Sequence, residues 1–373
     1  MHLLVTGGAG FIGSNYVRWV LGHSDDSVTV YDALTYAGNR STLQDVEERW
    51  TDSGRYRFVH ADICDPEALE DAMKGADAVV HFAAESHVDR SIDGPDAFVL
   101  TNCVGTNWVC HTANKLGIER VLHVSTDEVY GSVETGHSTE RDLLDPRSPY
   151  SASKAGSDLI ARSYHSTYGL PVLVTRSSNN FGPWQYPEKV IPLFVTNLLD
   201  GKKVPLYGDG LNKRDWLYVE DNCSAVDAVL RQGLAGEIYN IGGGNELTNR
   251  ELTGYVLQAF GAGDDMIEYV TDRLGHDRRY AVDCSKVQAL GWKPEPGFSE
   301  ALRRTFRWYR DNRWWWEPLK HQQQADHDDS VEAAEVESGG ESRAGAEKGD
   351  KEGKAEKAKA DNGGKTEKAQ EGR

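Results

Sequence analysis

The stretch VTGGAGFIGS, residues 5–14, decides the fold. It follows a short apolar run, HLLVT (2–6), and leads into SNYVRWVLG (14–22), which has the apolar spacing of a helix closed by Gly22. Gly7, Gly10 and Gly13 stand three apart between that strand and that helix. Glycine allows the tight turn and lets backbone N–H groups approach a pyrophosphate, while the helix N-terminus adds partial positive charge. The next apolar run, SVTVYD (27–32), ends on Asp32. An acid there suits the two ribose hydroxyls of NAD and repels the extra phosphate of NADP. The stretch therefore predicts a dinucleotide site in a βαβ unit, with NAD as the cofactor.

The alternation continues outward. YRFVHAD (56–62), DAVVHFAA (77–84), ERVLHVS (119–125) and PVLVTRSS (171–178) read as further strands. DPEALEDAMKG (65–75) reads as a helix capped by Asp65, with Pro66 first and Gly75 at its end. Longer helices are expected over 96–115 and 149–168. Apolar strands separated by helices imply an α/β fold, a doubly wound parallel sheet of Rossmann type covered on both faces. Beyond residue 180 the pattern loosens. FGPWQYPEKVIP (181–192) reads as a loop, CSAVDAVLRQ (223–232) as a helix and EIYNIGG (237–243) as a strand. TNRELTGYVLQAFG (248–261) and FSEALRRTFRWYRDNR (298–313) read as helices. The expected organisation is an NAD-binding domain over 1–180, with 215–242 returning to it, and a smaller mixed α/β substrate lobe over 181–320. The Ala-, Glu-, Lys- and Gly-rich segment 321–373 reads as a disordered low-complexity tail. Trp314 to Trp316 read as the apolar end of the last helix, clamped on the second lobe.

A net charge of −18 disfavours nucleic acid and anionic membrane as partners. No run of about 18 apolar residues is present to span a bilayer, and no signal peptide is expected. Cys64, Cys103, Cys110, Cys223 and Cys284 lack metal-ligand spacing and read as reduced, mostly buried thiols of a cytoplasmic protein. No metal is expected.

Two further stretches carry chemistry. SPYSASKAG (148–156) puts Tyr150 and Lys154 at i and i+4, on one helix face. The cation is expected to lower the phenol's pKa, so that it takes a proton from a sugar hydroxyl, and to hold a cofactor ribose. HVSTDEVYGS (123–132) sets Thr126, Asp127 and Glu128 where a strand leaves the sheet. Two carboxyls can divide acid and base work if their surroundings keep one ionised and one protonated. The residues alone leave open which is which. Asp62 reads either as an adenine contact or as a loop acid.

These motifs resemble the extended short-chain dehydrogenase/reductase family: TGGAGFIG (6–13), DI (62–63), FAAESHVDRS (82–91), VSTDEVYG (124–131) and YSASK (150–154) occur in that family's order. More narrowly, the chain is similar to the dTDP-glucose 4,6-dehydratases up to about residue 320. LTYAGNRSTL (34–43), SSNNFGPWQYPEKVIPLF (177–194), PLYGDGLNKRDWLYVEDN (205–222), YNIGGGNELTN (239–249) and DRLGHDRRYAVD (272–283) carry that likeness. It implies oxidation of a hexose at C4, loss of water across C5–C6 and hydride return to C6. It gives Asp127 the role of acid at the C6 hydroxyl, Glu128 that of base at C5, and Thr126 a hydrogen bond to the C4 oxygen. The resemblance adds Phe11, Ile12, Ile63, Ala83, Ala84, Thr101 and Asn180 to the cofactor set. For the substrate it implies Asn179, Val190, Asn249 and the segment Pro205–Tyr207. Arg214, His276 and Lys189 are the candidate cations for a nucleotide diphosphate, and Ser86 and His87 stand where sugar and nicotinamide would meet. A homodimer through the two long helices is implied. Leu274 departs from the pattern, where proline is common. The alternative is a nucleotide-sugar 4-epimerase, which shares the glycine loop, Tyr150 and Lys154 but has no use for Asp127 and Glu128 as a pair.

Overall fold

The structure, a computed structural model, describes residues 1–322; the tail expected from 321 therefore lies, from 323 onward, outside the described residues. Six strands open the chain: β1 (His2–Thr6), β2 (Ser27–Asp32), β3 (Tyr56–His60), β4 (Ala78–His81), β5 (Arg120–Thr126) and β6 (Val172–Ser177). Six more follow: β7 (Asn179–Phe181), β8 (Val204–Tyr207), β9 (Lys213–Tyr218), β10 (Ile238–Ile241), β11 (Glu246–Thr248) and β12 (Ile267–Val270). The first six and β10 form one seven-stranded sheet, ordered β10-β6-β5-β4-β1-β2-β3, with every pairing parallel. The order reverses between β1 and β4. A crevice opens at the carboxyl ends of such strands, and open α/β sheets take their ligands there.

The core lies directly behind that crevice. Leu4, Val79, Val121 and Val172 of four sheet strands pack with Val109, Cys110 and Ala113 of the helix Thr106–Leu116 and with Ala161 of the helix Pro149–Tyr168. Each such aliphatic side chain contributes roughly 1.5–3 kcal/mol by leaving water, which holds the strand ends rigid. The helix Pro149–Tyr168 begins at a capping box: the Ser148 hydroxyl accepts from the Ser151 N–H and the Ser151 hydroxyl accepts from the Ser148 N–H. Gly169, at φ 74°, ends it in the left-handed conformation. Tyr150, Lys154, Asp158 and Ala161 are all buried on the face turned to the sheet.

Several boundaries differ from the sequence reading. The first helix runs Phe11–His23, so Gly13 lies inside its first turn and Gly22 does not stop it; the backbone N–H of Ser24 caps it on Val20. The helix expected over 96–115 is a run of three pieces: Pro95–Phe98, a π-helical segment Val99–Gly105, and Thr106–Leu116. The wider turn places Asn102 inward, where it accepts from the Glu85 N–H (2.8 Å) and donates to the Glu85 carbonyl (3.0 Å) and Ser153 Oγ (2.8 Å). The helix read from Cys223 begins at Val219. Residues 181–192 are not all loop: β7 ends at Phe181 and a helix, Val190–Leu199, begins within them.

Beyond the large sheet, β7 pairs in parallel with β9, and β11 pairs antiparallel on its other side. β8 and β12 form a parallel pair. The tryptophan run is clamped on the first half of the chain as well as the second: the Trp315 indole donates to Thr42 Oγ1 (3.1 Å) and packs on Trp184 and Trp308.

Candidate active site

The glycine loop is built without room for side chains. Gly7 has φ +70°, and a Cβ on it would sit 2.5 Å from the Ala83 nitrogen. A Cβ on Gly13 would overlap the Gly7 carbonyl oxygen. Backbone is thus left facing the cleft, as a pyrophosphate needs. Asp32, buried at the end of β2, accepts from the Ala9 N–H and the Leu34 N–H, both at 2.8 Å. It ties the loop to β2 and keeps lone pairs toward the crevice. The cleft has a volume of about 230 Å³. Gly7, Gly10, Phe11, Ile12 and Gly13 line it from the loop; Asp32, Asp62 and Ile63 from the ends of β2 and β3; Ala83, Ala84 and Ser86 from beyond β4. Thr101, Tyr150, Lys154 and Lys189 complete the expected set. Asn180 does not line it; its carbonyl accepts from Gln185, which does. Tyr36, Glu85, Gln185, Tyr186 and Glu188 also line the cleft and escaped the sequence reading. They come from loops whose approach depends on distant pairings, although 34–43 and 177–194 carried a family signal.

Tyr150 and Lys154 share the buried face, but their electrostatics differ from the expectation. The Lys154 ammonium donates to the Val124 carbonyl at 2.8 Å. Burial lowers its pKa to about 8, opposed by the Asp158 charge. Burial, and next the Glu128 charge, raise the Tyr150 phenol, opposed by the Thr126 hydroxyl. The lysine is therefore not what eases phenol ionisation in the chain by itself; the threonine is the nearer aid.

Thr126 ends β5 and turns the chain: its hydroxyl accepts from the Glu128 N–H at 3.3 Å, and Asp127–Tyr130 form a 3-10 turn closed by Gly131 at φ 72°. The two acids meet opposite surroundings. Asp127 is raised well above the carboxylate range by burial and then by the charges of Glu128 and Asp215. Glu128 is also raised by burial, but Arg273, Arg214 and Lys189 all act to ionise it. Asp127 Oδ2 has no hydrogen-bond partner, nor have Asn179 Oδ1, Glu188 Oε1 or Arg273 Nε. A buried polar atom left so costs roughly 1–3 kcal/mol, and the group suits a polar ligand.

On the substrate side, Arg214 is buried in β9, donating to the carbonyls of Lys213 and Asp277, both at 2.8 Å, and stacked over Tyr280. Lys189 donates to the Ser86 carbonyl at 3.1 Å. Val190 opens its helix, Pro205 lies in β8 and Asn249 opens the helix Asn249–Phe260. Exposed Tyr207 meets the His276 ring edge-on at 6.4 Å. Burial and then the Arg273 charge lower His276 to about 4, although Asp272 Oδ1 lies 2.6 Å from its Nδ1. His87 is lowered to about 2 by burial and then by Lys189, Arg90 and Arg273. Arg273, a cation acting on Glu128 that the sequence reading did not single out, pairs with Asp89 at 3.6 Å. Leu274 beside it is exposed.

Fold and cleft together define a Rossmann-type dinucleotide enzyme with a tyrosine–lysine face and a pair of unlike carboxyls. The family described as GDP-mannose 4,6 dehydratase matches residues 4–305. A dTDP-glucose 4,6-dehydratase of Streptomyces antibioticus is 56% identical over 327 residues, 86% of this chain and 96% of that protein. Another from Streptomyces niveus is 51% identical, over 87% of this chain and 97% of its own. The crystal structure of DesIV, a dTDP-glucose 4,6-dehydratase from Streptomyces venezuelae with NAD bound, superposes with a TM-score of 0.83 at 56% identity, covering 86% of this chain and all of that one. The chain belongs to the GDP-mannose 4,6 dehydratase family and, within it, to the dTDP-glucose 4,6-dehydratases.

Proposed function

We propose that the chain is an NAD-dependent hydro-lyase that converts dTDP-glucose to dTDP-4-keto-6-deoxyglucose and water. The observation that carries this is the buried pair Asp127 and Glu128 beside Tyr150, with acids the larger charges acting on the first and cations the larger charges acting on the second. A bound nicotinamide would supply a reversible hydride acceptor for oxidation at C4 and reduction at C6. The glycine loop and Asp32 would hold its diphosphate and ribose, and Lys154 its second ribose.

Tyr150 takes the proton of the C4 hydroxyl, with the Thr126 hydroxyl bonded to the C4 oxygen. The new ketone acidifies the C5 hydrogen. Glu128, whose ionised form Arg273, Arg214 and Lys189 favour against burial, removes it. Asp127, held toward its protonated form by burial and then by Glu128 and Asp215, gives its proton to the departing C6 hydroxyl. Glu128 then returns its proton to C5. Tyr150 is left protonated and Asp127 ionised, so one proton passing through solvent resets the site. Arg214 and Arg273 suit the nucleotide diphosphate by their planar forks.

In this reading residues 1–180, with 215–242 returning, serve the cofactor and 181–320 serve the sugar nucleotide. Two copies pair through the helical run 95–116 and the helix Pro149–Tyr168. The enzyme works in the cytoplasm, whose reducing conditions suit five free cysteines.

The test is incubation with dTDP-, UDP-, GDP- and CDP-glucose, with the product identified by mass. Loss of one water, fastest from dTDP-glucose and without added reductant, is expected. A product of unchanged mass epimerised at C4 would establish the 4-epimerase reading instead.

A further inference from the structure

Behind Lys154 lies a buried ionic group that the roles above leave unused. Asp158 follows Lys154 by one helical turn and is fully buried. Arg176, buried in β6, donates from Nε to Asp158 Oδ2 at 2.8 Å. His123 of β5 places Nε2 3.3 Å from Asp158 Oδ1 and 3.1 Å from Ser157 Oγ. The Arg176 guanidinium also lies over the Tyr130 ring, 4.8 Å from its centre. Tyr130 belongs to the 3-10 turn that carries Asp127 and Glu128, and its hydroxyl donates to Asn240 of β10 at 2.8 Å. One carboxylate thus joins the helix bearing Tyr150 and Lys154 to β5 and β6, and through Arg176 and Tyr130 to β10 and the turn that carries the acid pair.

Stability alone gives little reason for such a group. An ion pair out of water is often matched or bettered by apolar packing. Its position gives a reason. The groups that face Lys154 are Tyr150 and Asp158 on its own helix, His81 on β4, His123 on β5 and Cys103 on the π-helical segment. Burial holds both histidines neutral. Among these groups Asp158 alone is a carboxylate.

We propose that Asp158 is a positioning residue for the reaction: its carboxylate, shared with Arg176, keeps Lys154 charged at the cofactor side and holds the Asp127–Tyr130 turn in register with the Tyr150 helix. This rests on the role given to Lys154 above. The direction of each effect follows from charge. Removing the Asp158 carboxylate takes away the support for the ammonium, so Lys154 loses its proton at lower pH. Removing the Arg176 cation leaves Asp158 to act on Lys154 undivided, so the proton is lost at higher pH.

The experiment uses full-length protein with its bound NAD, labelled with [13Cε]lysine and titrated by NMR. Lys154→Arg assigns the Lys154 signal. In Asp158→Asn the midpoint should fall by roughly one pH unit or more, and in Arg176→Gln it should rise. Asp158→Glu, which restores the charge, should bring it back toward the wild-type value. The alkaline limb of C4 oxidation, followed as bound NADH absorbance, should move with the midpoint in each variant. Unmoved midpoints, or shifts of the same sign in the Asn and Gln variants, would overturn the proposal. If Asp158→Asn fails to fold, Arg176→Gln decides alone, and the absence of an upward shift rejects it. If the wild type acts on no sugar nucleotide, the dehydratase reading fails, while the titration still decides the charge relation.

Discussion

Asp127 and Glu128 are chain neighbours with the same functional group, and only their surroundings separate them. Burial raises both; acidic neighbours add to it at Asp127, and cations oppose it at Glu128. The pH dependence of the elimination follows with definite signs. Glu128 must be ionised, so water loss should fall as pH drops through its raised pKa. Asp127 must be protonated, so water loss should also fall as pH rises through its own raised pKa. A single-turnover pH profile of water loss should be bell-shaped, and a profile lacking either limb would contradict the division of labour. Substitutions separate the steps. Glu128→Gln should still reduce its NAD on mixing with substrate but fail to exchange the C5 hydrogen with deuterated solvent. Asp127→Asn should slow water loss by roughly 10²–10⁴-fold, the usual worth of a positioned acid, while C5 exchange persists. The motif made the two acids legible in the sequence, because they stand at the tip of a recognisable strand. Arg273 was not legible. It follows β12 by three residues in a stretch with no periodicity, and its approach to Glu128 exists only once that segment has folded back.

At the scale of elements, capping chemistry was readable and long-range pairing was not. Asp65 and Pro66 open the helix Pro66–Met73 as expected, and Gly75 follows it at φ 78°. β7 has only three residues and is fixed by β9, so local sequence carried no sign of it. The π-helical segment was hidden for a similar reason: Asn102 turns inward to partners at Glu85 and Ser153, far along the chain. Two caps offer a controlled comparison. Asp65→Ala and Ser148→Ala each remove a side-chain acceptor from a helix N-terminus and should each cost about 1 kcal/mol in denaturant unfolding. Only Ser148 holds the turn from which Tyr150 projects, so only Ser148→Ala should also lower turnover. Equal loss of turnover in both would make the cap a matter of stability alone. The glycine loop makes a sharper demand. Gly13→Ala puts a methyl group into the Gly7 carbonyl, and the loop must open to admit it. Purified Gly13→Ala protein should carry little or no NAD, as read by the absorbance of released cofactor, and full occupancy would show that the cradle is not needed.

For the molecule as a whole, the two helices behind the tyrosine–lysine face leave apolar side chains in water. Val99, Leu100 and Val104 on the π-helical segment are 54%, 54% and 40% exposed, and Leu159 on the neighbouring helix is 56% exposed. The two helices pack side by side, so these side chains belong to adjoining faces. A surface of that kind is costly to leave open, and a second copy presenting the same face would cover it by twofold symmetry. A standard interface removes roughly 1,200–2,000 Å² from water in total. The pairing would also stiffen the active site, because Tyr150, Lys154 and Asn102 project from the opposite sides of these helices. The chain carries a net charge of −18, so two copies repel at long range, and salt should strengthen their association by screening. Light scattering on a gel-filtration peak should therefore give twice the chain mass at micromolar concentration, with a dissociation constant that rises as ionic strength falls. In such a pairing Leu159→Glu would bury a carboxylate in the contact and should yield monomers with lower turnover and weaker NAD retention. A wild-type monomer at micromolar concentration would reject the pairing, and a monomeric Leu159→Glu variant with unchanged turnover would reject its link to the active site.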